Sequence, residues 1–216
     1  MTEQIKKTME ALEKNNMVPI YAQKKEDILP IIKSLIKEGD VIGLGGSATL
    51  KEIGAIDMVR AGNYKLIDRY DPKLSDEEKV ECYRKALLSD VFLTSTNALS
   101  QRGELINVDG TGNRGAALIY GPKSVIVVAG VNKIVEDAEA GFKRIKEIAA
   151  PKNCVRLDRH NYCFYKGECT AISNNSESLS DGCASKGRIC CSYIVQSYQL
   201  VKDRIKVIIC GEALGY

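Results

Sequence analysis

Apolar residues recur at helical spacing in the first stretch of the chain: Ile5, Met9 and Leu12 stand between charges, which predicts an amphipathic helix over Thr2 to Asn16. Lys24 to Lys37 repeats the pattern with Ile28, Leu29, Ile31, Ile32, Leu35 and Ile36, and Gly39-Asp40 closes it as glycine closes helices. A short apolar run, Val41-Ile42-Gly43-Leu44, predicts a strand. The turn Gly45-Gly46-Ser47 follows, then a helix over Thr49 to Arg60 with Leu50, Ile53, Ile56 and Val59 on one face. Tyr64 to Ile67 and Val91 to Thr94 predict further strands, separated by a helix over Ser75 to Leu88 whose Ser75 and Glu78 have capping-box spacing. Leu105 to Val108 and the β-branched run Ser124 to Ala129 predict two more strands, and Lys133 to Ala150 another helix. Strands alternating with helices predict an α/β fold, a mainly parallel sheet with helices on both faces.

Beyond Pro151 the periodicity fades until Ser192 to Tyr198 and Ile205 to Cys210, which predict strands. Residues 153–191, rich in Cys, Ser, Asn, Gly and Lys, read as a C-terminal cysteine-rich insertion or lobe within a single domain spanning 1–216. The length of 216 residues suits one large domain. The chain is 44% apolar, which argues against disorder. The net charge of +3 is dispersed along the chain, and no segment joins basic residues to aromatics as a nucleic-acid groove requires, so nucleic acid is not an expected partner. The charged N-terminus is unlike a signal peptide, and no apolar run reaches the roughly 18 residues of a membrane span, so a soluble, cytoplasmic protein is expected.

The chemistry-bearing positions cluster behind the predicted strands. In Gly43-Leu44-Gly45-Gly46-Ser47-Ala48-Thr49, glycines allow close approach of a ligand, and the Ser47 and Thr49 hydroxyls offer donors to a phosphate or carboxylate. No Lys follows the glycines as in a Walker loop, and the third glycine of a dinucleotide fingerprint is replaced by Ala48. A tight turn capped by Ser47 is the plainer alternative. Thr94-Ser95-Thr96-Asn97 follows another strand, so Thr94 and Asn97 are candidates at the same sheet edge. Asp109, Asn113 and Arg114 add a carboxylate, an amide and a guanidinium able to grip an anion in two places, although hairpin chemistry accounts for Asp109-Gly110 as well.

Seven of the eight cysteines fall between Cys154 and Cys210. In a reducing compartment such density suggests metal ligation or redox chemistry before disulfides. Cys163, Cys169, Cys183 and Cys190 are the candidate ligands for zinc or an iron–sulfur cluster, with free or regulatory thiols as the alternative, since neither C-x-x-C nor a ferredoxin run is present. His160 is the sole histidine, which excludes any mechanism needing a pair.

Val41 to Thr49 with Glu52-Ile53-Gly54, then Asp90 to Ala98, Gly103 to Gly110, Gly112-Asn113-Arg114, Tyr120 to Lys123 and Gly130 to Lys133 together resemble the LUD domain family of lactate-utilization proteins. The tail from Cys163 to Cys190 is similar to the cysteine-bearing end of the family's short members, with a longer stretch between Cys169 and Cys183. The resemblance implies a fold similar to the sugar-phosphate isomerase and CoA transferase superfamily, in which the Gly-Ser turn holds a phosphate or acyl group. It implies a part in oxidising lactate to pyruvate beside iron–sulfur oxidoreductase subunits. Three roles follow as expectations: a protein binding a small anionic ligand, an iron–sulfur or zinc electron-transfer or assembly subunit, or a CoA-ester or sugar-phosphate enzyme. For the last, Glu104 is the carboxylate within the matching loops that could act as nucleophile or base. The lobe also offers a surface for a homo-oligomer.

Overall fold

The computed structural model describes residues 1–176 and 178–216. Six parallel strands form its main sheet: β1 (Val18–Ala22), β2 (Val41–Leu44), β3 (Lys65–Leu66), β4 (Val91–Ser95), β7 (Ser124–Gly130) and β10 (Ile205–Cys210). Their order is β1-β10-β7-β4-β2-β3, which puts the C-terminal strand between β1 and β7. Successive side chains of a strand point to opposite faces, and here both faces are apolar. Val91, Leu93, Ile126, Val128 and Ile208 face one core with α2 (Ile28–Leu35), α3 (Ala48–Glu52) and α4 (Ala55–Ala61). Phe92, Val125, Val127, Val207 and Ile209 face the other, with α1 (Glu3–Lys14) and α6 (Asn113–Ile119). The predicted α/β class, a mainly parallel sheet covered on both faces, is the observed one.

A second sheet of four short strands stands beside it, in the order β8-β5-β6-β9, formed by β5 (Ala98–Ser100), β6 (Leu105–Asp109), β8 (Ile134–Val135) and β9 (Ser192–Gln196). The strands predicted at Leu105 to Val108 and Ser192 to Tyr198 therefore pair with each other, antiparallel, instead of joining the main sheet. Two predicted helices are also corrected. The helix expected over Thr49 to Arg60 breaks into α3 and α4 because Gly54 takes a left-handed conformation with φ 73°. The helix expected from Lys133 starts only at α7 (Ala138–Arg144), since Ile134 and Val135 pair with Leu99 and Ser100 and Asp137 caps the helix by accepting from Ala140 N. It then runs through a π turn, Ile145–Ala149, into α8 (Ala150–Arg156). Between these, α5 (Asp76–Ala86) carries the capping box read from Ser75 and Glu78. The cysteine-rich stretch folds as short helices α9 (Tyr162–Lys166) and α10 (Thr170–Ser173) joined by irregular backbone. No helix of the described residues is long and apolar enough to cross a membrane.

Candidate functional site

Strands β2, β4 and β7 point their carboxyl ends at one place, where ligands bind in open α/β sheets. Leaving β2, the chain makes a turn that only glycine permits: a Cβ on Gly45 would stand 2.5 Å from Thr94 Oγ1. Gly45 N donates to Leu93 O, and Ser47 Oγ then caps α3 by accepting from Leu50 N at 3.1 Å. The result is a cavity of about 390 Å³ between the sheet edge, the β6–α6 turn and the lobe.

Of the residues predicted for a ligand site, Gly46, Ser47, Thr49, Asn97, Asp109, Asn113 and Arg114 line this cavity. Gly43, Gly45 and Thr94 lie outside its lining and shape it from behind: Thr94 is fully buried, donates to Ser95 O and packs against Gly45. Glu104 is also outside it. Its carboxylate accepts from Ser100 Oγ at 2.7 Å across the β5–β6 turn, where it orders the turn and does not face the cavity lining.

Arg114 is committed to structure. Its Nε donates to Asp109 Oδ1 at 2.8 Å, and its terminal nitrogens donate to Asn97 Oδ1 at 2.7 Å, Val108 O at 2.8 Å and Ser95 O at 3.2 Å. Asp109 also accepts from Gly115 N. The pair is buried on both sides, so the charge expected to grip a ligand instead ties β4, β6 and α6 together.

The residue that sequence reasoning gave no role is Lys133. It follows β7 and reaches the cavity floor, 3% exposed. Its Nζ donates to Thr49 Oγ1 and Ser95 Oγ, each at 2.9 Å, and to Thr96 O at 3.3 Å. None of these partners is charged. Burial first, then the nearby guanidiniums of Arg144 and Arg114, lower its pKa from 10.5 to about 7, with Glu52 opposing them. The rule that singled out Ser47, a ligand beyond the carboxyl ends of strands, applies equally to Lys133.

The cavity's outer wall is basic. Arg69, Arg156, Arg159, Lys186 and Arg188 line it, whereas Asp109 is the single acid among the described lining residues and is already paired. Arg69 donates to Tyr83 Oη at 3.1 Å and lies 4.3 Å from that ring's centroid. Arg156 donates to Asn153 Oδ1 and to Tyr216 Oη, each at 2.8 Å, and Tyr216 is itself part of the lining. Arg188 donates to the carbonyls of Cys190 and Ser180. Among the described residues none of these five forms an ion pair.

The four thiols singled out as ligands divide between two small cores and the surface of the lobe, with Cys169 and Cys183 near enough to Cys190 to raise its pKa, after the larger effect of burial. Cys163 and Cys169 pack with Cys154 in one small core, Cys190 packs against Ile106, Val108 and Ile145 in another, and Cys183 is partly exposed. Cys154, Cys163 and Cys169 hydrogen-bond in a row through Cys163, which raises the pKa of Cys163 and lowers that of Cys169. Asn161 Nδ2 reaches Cys154 Sγ at 3.1 Å. Among the described residues no group of three or more His, Cys, Asp or Glu side chains is arranged to hold a metal ion. His160 lies exposed beside Asp158 and Tyr165.

The LUD domain profile matches residues 5–210. The chain belongs to the LUD domain family. Among solved structures this LUD protein is similar to a DUF162 family protein from Deinococcus radiodurans, at 17% identity and a TM-score of 0.52 over 97% of each chain. That likeness supports the fold. It also aligns with the malonate decarboxylase α subunit of Acinetobacter baumannii at 13% identity and a TM-score of 0.38, covering 98% of this chain and 37% of that one. Among curated proteins none is similar enough in sequence to match.

Proposed function

We propose that this LUD protein binds a small organic anion, a carboxylate or phosphate compound of the size of lactate or pyruvate or a somewhat larger ester, in the cavity beyond β2, β4 and β7, and serves lactate or related organic-acid oxidation. The observation that carries the reading is the charge of the cavity: among the described residues, five cations on its wall without ion-pair partners, and an amine on its floor, against one acid that is already neutralised. Unpaired guanidiniums around a concave, partly enclosed space are complementary to an anion, and a planar guanidinium matches a carboxylate or phosphate with two parallel hydrogen bonds. Ser47, Thr49 and Ser95 supply hydroxyls beside them. LUD membership supports the lactate-utilization setting.

Calorimetric titration with L-lactate, pyruvate, inorganic phosphate and an acyl-CoA tests the reading. At least one should bind saturably. Replacing Arg159 by Gln should weaken that ligand about tenfold or more, the loss expected for a charge-assisted hydrogen bond. Absence of saturable binding by all four would overturn it.

A further inference from the structure

Lys133 differs from every other cation of the cavity in what surrounds it. The wall cations Arg69, Arg156 and Arg188 keep a charge that hydroxyl, amide or carbonyl oxygens can solvate and that opens towards solvent. Arg114, equally deep, is neutralised by Asp109. The Lys133 amine is buried, meets two hydroxyls and a carbonyl, and has the guanidiniums of Arg144 and Arg114 near enough to oppose a positive charge on it, which together with burial outweigh the more weakly acting Glu52. A lysine kept only for structure would gain from a carboxylate partner, as Arg114 does. One desolvated beside other cations is instead set up as a free amine, the arrangement by which lysine becomes a nucleophile.

We propose that Lys133 Nζ adds to the carbonyl carbon of a small carbonyl compound bearing a carboxylate or phosphate and forms an imine with it. The inference rests on the anion-binding reading of the same cavity, since the wall guanidiniums are what would hold the substrate's charged end. In the step, the nitrogen lone pair forms the C–N bond while the carbonyl π pair moves to oxygen, which takes a proton from the Ser95 or Thr49 hydroxyl. The nitrogen returns a proton to that hydroxyl. Loss of the carbinol oxygen as water, after a second proton transfer along the same route, leaves the C=N bond. Amine and carbonyl thus give imine and one water, and no oxidant or reductant is consumed. The two hydroxyls stand 3.4 Å apart, each 2.9 Å from Nζ, so a proton can pass between them and the amine without crossing the cavity. Near neutral pH a substantial share of the amine is the free base the step needs, because its pKa is held at about 7.

Reductive trapping of the whole chain decides the matter. The protein is incubated with cyanoborohydride and, in separate arms, pyruvate, glyoxylate or glyceraldehyde 3-phosphate, which distinguishes a carboxylate from a phosphate substrate. Intact mass and peptide mapping then locate the reduced adduct. The expected result is one adduct, on Lys133, formed faster as pH rises through 7, absent in Lys133→Met and slowed about tenfold or more in Ser95→Ala. The wild-type peptide map suffices even where a variant fails to fold. Adducts spread over exposed lysines with Lys133 unmodified overturn the proposal. So does the absence of any adduct while calorimetry still shows saturable anion binding, and in that case the binding reading stands alone. Absence of both removes the two together.

Discussion

Two buried cations flank Ser95, and the fold treats them in opposite ways. On the side of the second sheet, Arg114 donates to the Ser95 carbonyl and is closed in by a carboxylate, an amide and a second carbonyl. On the side of β7, Lys133 donates to the Ser95 hydroxyl, and among the described residues it forms no ion pair, Glu52 acting on it only from a distance. Burial of a charge is tolerated where it is paired and fully hydrogen-bonded, and otherwise the group moves towards its neutral form. The first cation therefore fastens three elements together. The second is kept reactive by the same low-polarity surroundings.

The contrast breaks most visibly at Arg114. Substitution by Met leaves Asp109 buried without its partner, and chemical denaturation should show a loss of about 3–5 kcal/mol. A loss under about 1 kcal/mol would mean that the ion pair is not what holds the β6–α6 turn.

At Lys133 the sign reverses. Its unfolded pKa of 10.5 exceeds the folded value of about 7, so between those values the unfolded chain holds more protons and the native state gains stability as pH rises. Below 7 the full cost of charging the buried amine is present. Lys133→Met removes that cost, so the variant should be more stable than wild type at acidic pH, by roughly 2–4 kcal/mol, and the advantage should shrink steadily as pH climbs towards 10. Thermal melts across that range measure it. A pH-independent difference would show that the amine is not held near neutrality.

The smallest effect is expected at Glu104, which sits in neither environment. Glu104→Gln should keep the Ser100 contact, change stability by under about 1 kcal/mol and leave anion binding untouched. A marked loss of binding would move the site towards the β5–β6 turn and undo the assignment to the cavity.

Long elements with one strong pattern were legible from the chain alone. The strands β2 and β10 begin and end where their apolar runs do, and α5 starts at its capping box. β5 and β8 were not, because three and two residues cannot display a period, and β8 finds its partner β5 35 positions away, Ile134 against Leu99. The helix α6 was hidden behind Gly112 to Gly115, where glycine and Asn-Arg read as a turn. The same division holds at the site. Ser47, Asn97 and Arg114 sit just past strands or inside a recognisable motif, so their neighbourhood could be inferred. Arg69, Arg156, Arg159 and Arg188 come from segments without periodicity, and only the folded lobe brings them to one wall. The sequence marks Asp109 and Arg114 alike as ligand contacts, whereas in the fold Asp109 is the counter-charge of Arg114.

The place of β10 has a consequence for how the chain is made. β1 pairs with β10 alone, and β10 also supplies the neighbour of β7, so β1 is joined to the rest of the main sheet only through residues 205–210. On a ribosome adding roughly 5–20 residues per second, Val18–Ala22 waits on the order of ten seconds or more for its partner, and the edge of β7 waits with it. Until then both present unpaired backbone to any passing strand. Nascent chains stalled before residue 205 should therefore recruit chaperones strongly, and release past residue 210 should end that recruitment at once.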